Sequence, residues 1–179
     1  MILAGHLERR VRLAVAAAEY LLERPIRSAL DVGCGEAPWR AILRRLRPWL
    51  RYVGVDPSAY AVARFGRRRG ILRGGVGELG RLGLRRPFDL AVCSDVLHYV
   101  PTSDARRGLR ALARLVRGAA FLETFAREDD TEGDAEEFVP RSAAAYRRLF
   151  REAGFTPLGL HCYAGPAFRH RALMALERA

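Results

Sequence analysis

The chain has 179 residues, half of them hydrophobic, so it can bury one core and is too short for two full domains. Its formal charge is +11, but all 31 basic residues are arginines spread along the chain, which weighs against a nucleic-acid partner. No apolar run approaches the roughly 20 residues that cross a bilayer, and the N-terminus lacks a signal-peptide stretch. The three cysteines form no CxxC pair. We therefore expect one cytoplasmic domain over residues 1–179, with no metal site.

Apolar periodicity predicts an amphipathic helix over residues 1–24, which Pro25 ends. After it, short apolar runs alternate with helical patterns. The predicted strands cover residues 28–32, 52–55, 71–73, 88–93 and 119–124. The predicted helices cover residues 38–46, 58–66 and 104–116, the last with Asp104 as its N-cap. This βαβ order implies a parallel sheet with right-handed crossovers.

The final third begins with an acidic loop, residues 126–141, that could act as a lid. A helix over residues 142–153 follows and ends at Gly154. Two strands at residues 157–163 and 172–176 would then pair antiparallel, with Gly165 and Pro166 between them. We predict a three-layer, doubly wound α/β domain whose seven-stranded sheet is mostly parallel, with the last strand antiparallel.

A glycine loop, residues 31–35, follows the first predicted strand directly. Gly33 and Gly35 allow a tight turn and close approach to a ligand, and the next helix offers its N-terminus. Asp56 ends the following strand, where a carboxylate beside the loop can accept both hydroxyls of a ribose. The ligand should therefore contain a nucleoside. A dinucleotide fits poorly, because Pro38 stands where the nicotinamide fingerprint needs a third glycine.

A third segment, residues 88–100, holds Phe-Asp, an apolar strand and then Leu97-His98. Together with the glycine loop and Asp56, it resembles the class I, Rossmann-like methyltransferases that use S-adenosylmethionine (SAM). The motifs occur in the same order over about residues 28–125. The resemblance implies that SAM is the cofactor and that the chain transfers its methyl group.

The resemblance also implies which residues contact SAM, all of them at the carboxyl ends of the first four strands or just beyond. They are Asp31, Gly33, Cys34, Gly35, Trp39, Asp56, Pro57, Gly75, Val76, Gly77, Ser94, Asp95 and His98. The glycine loop would face the methionine part, with Asp31 near its ammonium group. Asp56 would hold the ribose, and Pro57 would lie against the adenine.

Two positions depart from the family pattern. Gly75 stands where many members have an acid that bonds the adenine amino group, and Ala37 replaces the third glycine of the first motif. Adenine recognition would then fall to the backbone of Val76 and Gly77, or to Glu78.

Methyl transfer from a sulfonium is an in-line displacement, in which alignment and desolvation supply much of the rate. A base is needed only when the acceptor must lose a proton. His98 is the first candidate for this catalytic role, because its ordinary pKa lies near neutrality, and Tyr99 is the second. A packing or cofactor-contact role for His98 is the alternative.

The compact chain favours a small-molecule acceptor, and it could act as a monomer or a homodimer. Three alternatives stay open: a non-catalytic SAM-binding partner subunit, a relative that transfers an aminopropyl group, and an RNA-binding protein. The acids that an aminopropyl acceptor would need after the fourth strand are reduced to Asp95.

Overall fold

A computed structural model describes residues 2–129 and 138–168 of the chain. Its helices are α1 (Ile2–Leu22), α2 (Pro38–Leu46), α3 (Ala59–Arg69), α4 (Thr102–Leu115) and α5 (Ala143–Ala153). Its strands are β1 (Ser28–Val32), β2 (Arg51–Asp56), β3 (Ile71–Arg73), β4 (Phe88–Ser94), β5 (Val116–Glu123), β6 (Thr156–Gly159) and β7 (Cys162–Ala164). Short 3-10 turns cover Val76–Arg81, Leu97–Tyr99 and Pro166–Phe168.

The seven strands form one sheet in the order β3-β2-β1-β4-β5-β7-β6. The pairs among β1 to β5 are parallel, whereas β7 runs antiparallel to both of its neighbours. The strand order reverses between β1 and β4, and ligands of such sheets bind outside the carboxyl ends of the strands at this point. The predicted fold class is confirmed.

Two apolar cores cover the two faces of the sheet. Helices α1, α2 and α3 lie against one face, while α4, α5 and the 3-10 turn Val76–Arg81 lie against the other. The apolar faces predicted from periodicity supply these cores, for example Val11, Ala14 and Ala18 of α1, which are fully buried. The result is the predicted three-layer arrangement.

The predicted strand over residues 157–163 is wrong, because this segment is a tight hairpin of β6 and β7. Leu160 and His161 make the turn, both with positive φ (49° and 64°). Gly165 and Pro166 follow the hairpin and begin a 3-10 turn instead of joining two strands. The strand predicted at residues 172–176 lies outside the described residues.

The bounds of two predicted helices also change. Helix α4 begins at Thr102 after Pro101, so Asp104 is not its N-cap but lies in its first turn, where a carboxylate complements the helix dipole. Its predicted end at Val116 is the start of β5. Helix α3 continues past Gly66 and ends at Gly70, which takes the left-handed conformation.

Candidate functional site

A cavity of about 540 Å³, here called the large cavity, lies at the carboxyl end of the sheet. Predicted site residues line it from four strand ends. They are Gly33, Asp56, Pro57, Gly75, Val76, Gly77, Asp95 and Tyr99. The cavity follows the switch point between β1 and β4, as the sequence predicts for the ligand.

The glycine loop is fixed to the end of β2 by its own N–H groups. Gly33 and Cys34 donate to the carbonyl of Val55 at 2.7 and 3.2 Å. Gly35 donates to Oδ2 of Asp56 at 2.7 Å. Gly33 has φ +72°, and a Cβ there would lie 2.2 Å from Val96, so this turn requires glycine.

Asp56 organises the corner between the loop and α3. Its Oδ1 accepts from the N–H of Ser58 at 2.9 Å, while Oδ2 holds Gly35. The side chain is buried yet lines the large cavity. Each carboxylate oxygen has a second lone pair, so Asp56 can accept ribose hydroxyls without releasing the backbone.

A second cavity of about 160 Å³, the small cavity, adjoins the large one through Gly33 and Asp95. Four more of the predicted cofactor-contact residues line it: Asp31, Cys34, Trp39 and Ser94. Leu7, Arg10 and Pro38 complete the lining. The two cavities therefore lie side by side at the strand ends and are together called the groove.

Asp31 lies buried at the base of the small cavity. Tyr52 donates its hydroxyl to Oδ2 of Asp31 at 2.7 Å. Burial raises the pKa of Asp31 to about 7, and the nearby Asp56 adds to the rise, although the Tyr52 bond opposes it. Because little solvent reaches this carboxyl, a cation beside it would stabilise its ionised form.

Trp39 and Cys34 form the apolar wall of the small cavity. The Trp39 ring is 5.1 Å from that of Phe121 and is buried, so it belongs to the core and to the cavity at once. Burial raises the pKa of the Cys34 thiol to about 12, with Asp31 and Asp56 adding to the rise, so this cysteine stays protonated.

The third-strand loop has no acid that points freely at an adenine. Glu78 accepts from the N–H of Gly75 at 2.8 Å and so closes its own turn. Arg107 donates to the carbonyl of Gly77 at 2.8 Å. The carboxylate of Glu78 is thus engaged in the loop while it still borders the large cavity.

His98 and Tyr99 lie on one 3-10 turn but face different spaces. Tyr99 is half-exposed and lines the large cavity. His98 is buried, lies 3.1 Å (Nδ1) from Oγ1 of Thr124, and lines a third cavity of about 200 Å³ with Phe125 and Phe138. Burial lowers the pKa of His98, although Asp95 opposes this, so the ring is neutral near pH 7. The structure does not bring His98 into either of the other cavities.

Sequence reasoning missed two arginines of the site. Arg10 of α1 reaches the small cavity and pairs with Glu123. Arg141 is buried and donates to the carbonyls of Leu97 and Val100. These two hydrogen bonds fix the 3-10 turn that carries His98. Neither residue carries a local signal, because each acts on partners far away in the sequence.

The acidic loop is described only at its two ends. Residues 130–137 lie outside the described residues, so its role as a lid stays a prediction. At the ends, Arg127 donates its N–H to the carbonyl of Arg141, and Val139 donates to the carbonyl of His98. These bonds fix the flanks of the loop beside the third cavity. Across the described residues, no helix is both long and apolar enough to cross a membrane.

Three solved structures are similar to this chain at identities that show the fold alone. The plantazolicin methyltransferase BamL, in complex with a triazolic desmethylPZN analogue and S-adenosylhomocysteine (SAH), has a TM-score of 0.64 and 12% identity over 82% of this chain and 62% of its own. The [4+2]-cyclase SpnF has a TM-score of 0.62 and 22% identity over 83% and 58%. The O-methyltransferase of a trans-AT polyketide synthase multienzyme of Brevibacillus brevis, in complex with SAH, has a TM-score of 0.58 and 14% identity over 84% and 55%.

The chain thus spans between 55% and 62% of the length of these three structures. No curated protein matches the sequence. The sequence matches a family described as "Methyltransferase domain" over residues 3–160, which is most of its length. The chain therefore belongs to the class I, Rossmann-like methyltransferases, the family predicted from its motifs.

Proposed function

We propose that this protein transfers a methyl group from SAM to a small-molecule acceptor. The observation that carries the proposal is the groove, the pair of cavities that share Gly33 and Asp95 in their linings. Its large part is bordered by Asp56 and the loop of Gly75, and its small part by the buried acid Asp31. The groove therefore suits a ligand with a nucleoside at one end and an amino acid at the other.

Residues of this chain fit both ends of SAM. Asp56 would accept the ribose hydroxyls, and Pro57 with the backbone of Val76 and Gly77 would border the adenine. Asp31 would receive the ammonium group, which compensates its buried charge. Bound SAM supplies a methyl group on a sulfonium, already activated for displacement.

The remaining task of the protein is to align the acceptor and exclude water. Tyr99 lies in the large cavity, and its ring is 4.2 Å from that of His98. For an acceptor that carries a proton, these two side chains are the proposed bases. Neutral His98 has a nitrogen lone pair for the proton, provided the acceptor reaches the third cavity.

A small acceptor is supported by the similar structures, one described as a plantazolicin methyltransferase and one as a polyketide-synthase O-methyltransferase. Because another is a [4+2]-cyclase, the fold alone does not select the reaction. The cytoplasmic location and the choice between monomer and homodimer stay predictions.

The test incubates the protein with SAM that carries an isotopically labelled methyl group and a panel of small phenols, amines and carboxylic acids. Label that appears in a small molecule, and disappears with Asp56→Asn, supports the proposal. Binding of SAM without transfer to any acceptor favours the partner subunit. Transfer from decarboxylated SAM favours aminopropyl chemistry, and a steeply salt-dependent affinity for RNA favours nucleic-acid binding.

A further inference from the structure

The glycine loop cannot supply the anion-binding N–H groups that its position suggests. The N–H groups of Gly33, Cys34 and Gly35 are all bonded within the protein, the first two to Val55 and the third to Asp56. A ligand carboxylate in the small cavity therefore needs a donor from another element.

Arg10 is the basic residue among those that line the small cavity, and it comes from helix α1. The acids of the same lining are Asp31 and Asp95. An amino-acid end has one ammonium and one carboxylate. With the ammonium beside Asp31, the carboxylate is matched by the guanidinium of Arg10, which can hold both of its oxygens.

In the structure Arg10 pairs with two carboxylates, and its contacts differ in geometry from those of other arginines. Its Nη1 lies 2.9 Å from Oε2 of Glu123 and 3.7 Å from Oδ2 of Asp95, but among the described residues no hydrogen bond joins its guanidinium to either. Arg24 is different, because two of its nitrogens donate to both oxygens of Asp89 at 3.2 and 2.8 Å. Arg10 therefore lacks the two-pronged hydrogen bonding that fixes Arg24, so a ligand carboxylate could offer it a better-matched partner.

Glu123 keeps other contacts if Arg10 leaves. Ser94 donates its hydroxyl to Oε2 of Glu123 at 2.7 Å. Nε2 of His161 lies 3.8 Å from the other carboxylate oxygen. The buried carboxylate of Glu123 would therefore not be stranded without a donor.

We propose that Arg10 is the ligand of the donor's α-carboxylate, and that Glu123 and Asp95 hold it in place until the donor binds. The proposal rests on the proposed function. Helix α1 then binds the amino-acid end of the cofactor through Arg10. This contact determines the preference for SAM and SAH over nucleosides that lack the amino-acid end.

The test compares two probes by titration calorimetry: SAH, and 5′-methylthioadenosine, which lacks the amino-acid carbons. Arg10→Gln should weaken SAH binding by about tenfold or more, since it removes charge-assisted bonds, and leave 5′-methylthioadenosine unchanged. Arg10→Lys should restore part of the preference for SAH. Arg12→Gln is the matched control on the same helix, because Arg12 pairs with Glu8 and does not line the small cavity.

Glu123→Gln gives the second arm. It removes the charge that competes for Arg10 and keeps an oxygen for Ser94, so SAH should bind about two- to fivefold tighter. Weaker SAH binding in this variant would overturn the proposal, as would an unchanged preference in Arg10→Gln. Wild-type protein that binds neither probe contradicts the proposed function itself. Wild-type protein that binds both probes equally refutes only the role of Arg10.

Discussion

Replacing Asp31 by Asn should make the free protein more stable above about pH 7, where the wild-type carboxyl is ionised, and should weaken its SAM binding. The carboxyl is buried, and its pKa is raised from the ordinary 3.8 to about 7. In the unfolded chain it ionises near the ordinary value, so the folded protein holds a proton that the unfolded chain has lost. The stability that Asp31 contributes is therefore complete below about pH 4 and is lost as the pH rises to about 7.

The magnitude follows from the same pKa. Each pH unit in this window costs about 1.4 kcal/mol, so the wild-type free energy of unfolding should fall by about 3 kcal/mol relative to Asp31→Asn between about pH 5 and pH 8. Urea denaturation of both proteins at each pH measures this difference. The contributions of the other titrating groups are the same in both proteins and cancel in the difference. At pH 8 the variant should bind SAM at least about tenfold more weakly, because the ammonium group loses its charged partner.

Asp89 provides a control of opposite sign. It is fully buried at the start of β4, and although burial acts to raise its pKa, hydrogen bonds from Arg24 and the N–H of Arg27 hold the pKa below its ordinary value. Asp89→Asn should therefore destabilise the protein near neutral pH without a specific loss of SAM affinity. Parallel stability curves for wild type and Asp31→Asn across the pH range would refute the reasoning about Asp31.

Three further substitutions test the account. Asp56→Asn should weaken SAM binding by more than about tenfold in titration calorimetry, and unchanged affinity would remove Asp56 from the site. Gly33→Ala should lower the free energy of unfolding, measured by urea denaturation, by about 2 kcal/mol, because its Cβ would lie 2.2 Å from Val96 at a positive φ. Gly35→Ala is the control: its φ is also positive, but no atom lies within 4 Å of its Cβ, so it should lose less stability. Equal losses in the two variants would show that contact with Val96 is not the cause. Arg141→Met should leave the carbonyls of Leu97 and Val100 without their side-chain donor and lower the free energy of unfolding by about 3 kcal/mol. In calorimetry this corresponds to a fall of about 6–12 °C in Tm. A fall of less than about 2 °C would show that Arg141 does not stabilise this turn.

Elements with strong local signals could be predicted from the sequence to the residue. Strand β1 is a buried apolar run, and α2 opens with a proline at its first position, so both have the predicted bounds. Gly33 and Asp56 both line the large cavity, because the parallel strands that they follow and end, β1 and β2, finish at the same edge of the sheet. The order of the motifs therefore sufficed to predict this part of the groove.

The rest depends on contacts that no local pattern records. The β6–β7 hairpin turns at Leu160 and His161, neither of which is one of the Gly, Asn and Asp residues typical of two-residue hairpin turns, so the sequence offers no turn signal. Arg10 and Arg141 act on strand ends and loop carbonyls that only the folded chain brings near them. The sequence predicts His98 beside the cofactor, but in the structure this residue lines the third cavity and neither of the other two.

The most direct test of the central claim is a calorimetric titration of the protein with SAM at pH 8, repeated with Asp56→Asn. If the groove is the SAM site, one SAM should bind per wild-type chain, and the variant should bind it at least about tenfold more weakly. Wild-type protein that gives no binding of SAM, or equal affinities for the two proteins, would contradict the assignment of the groove.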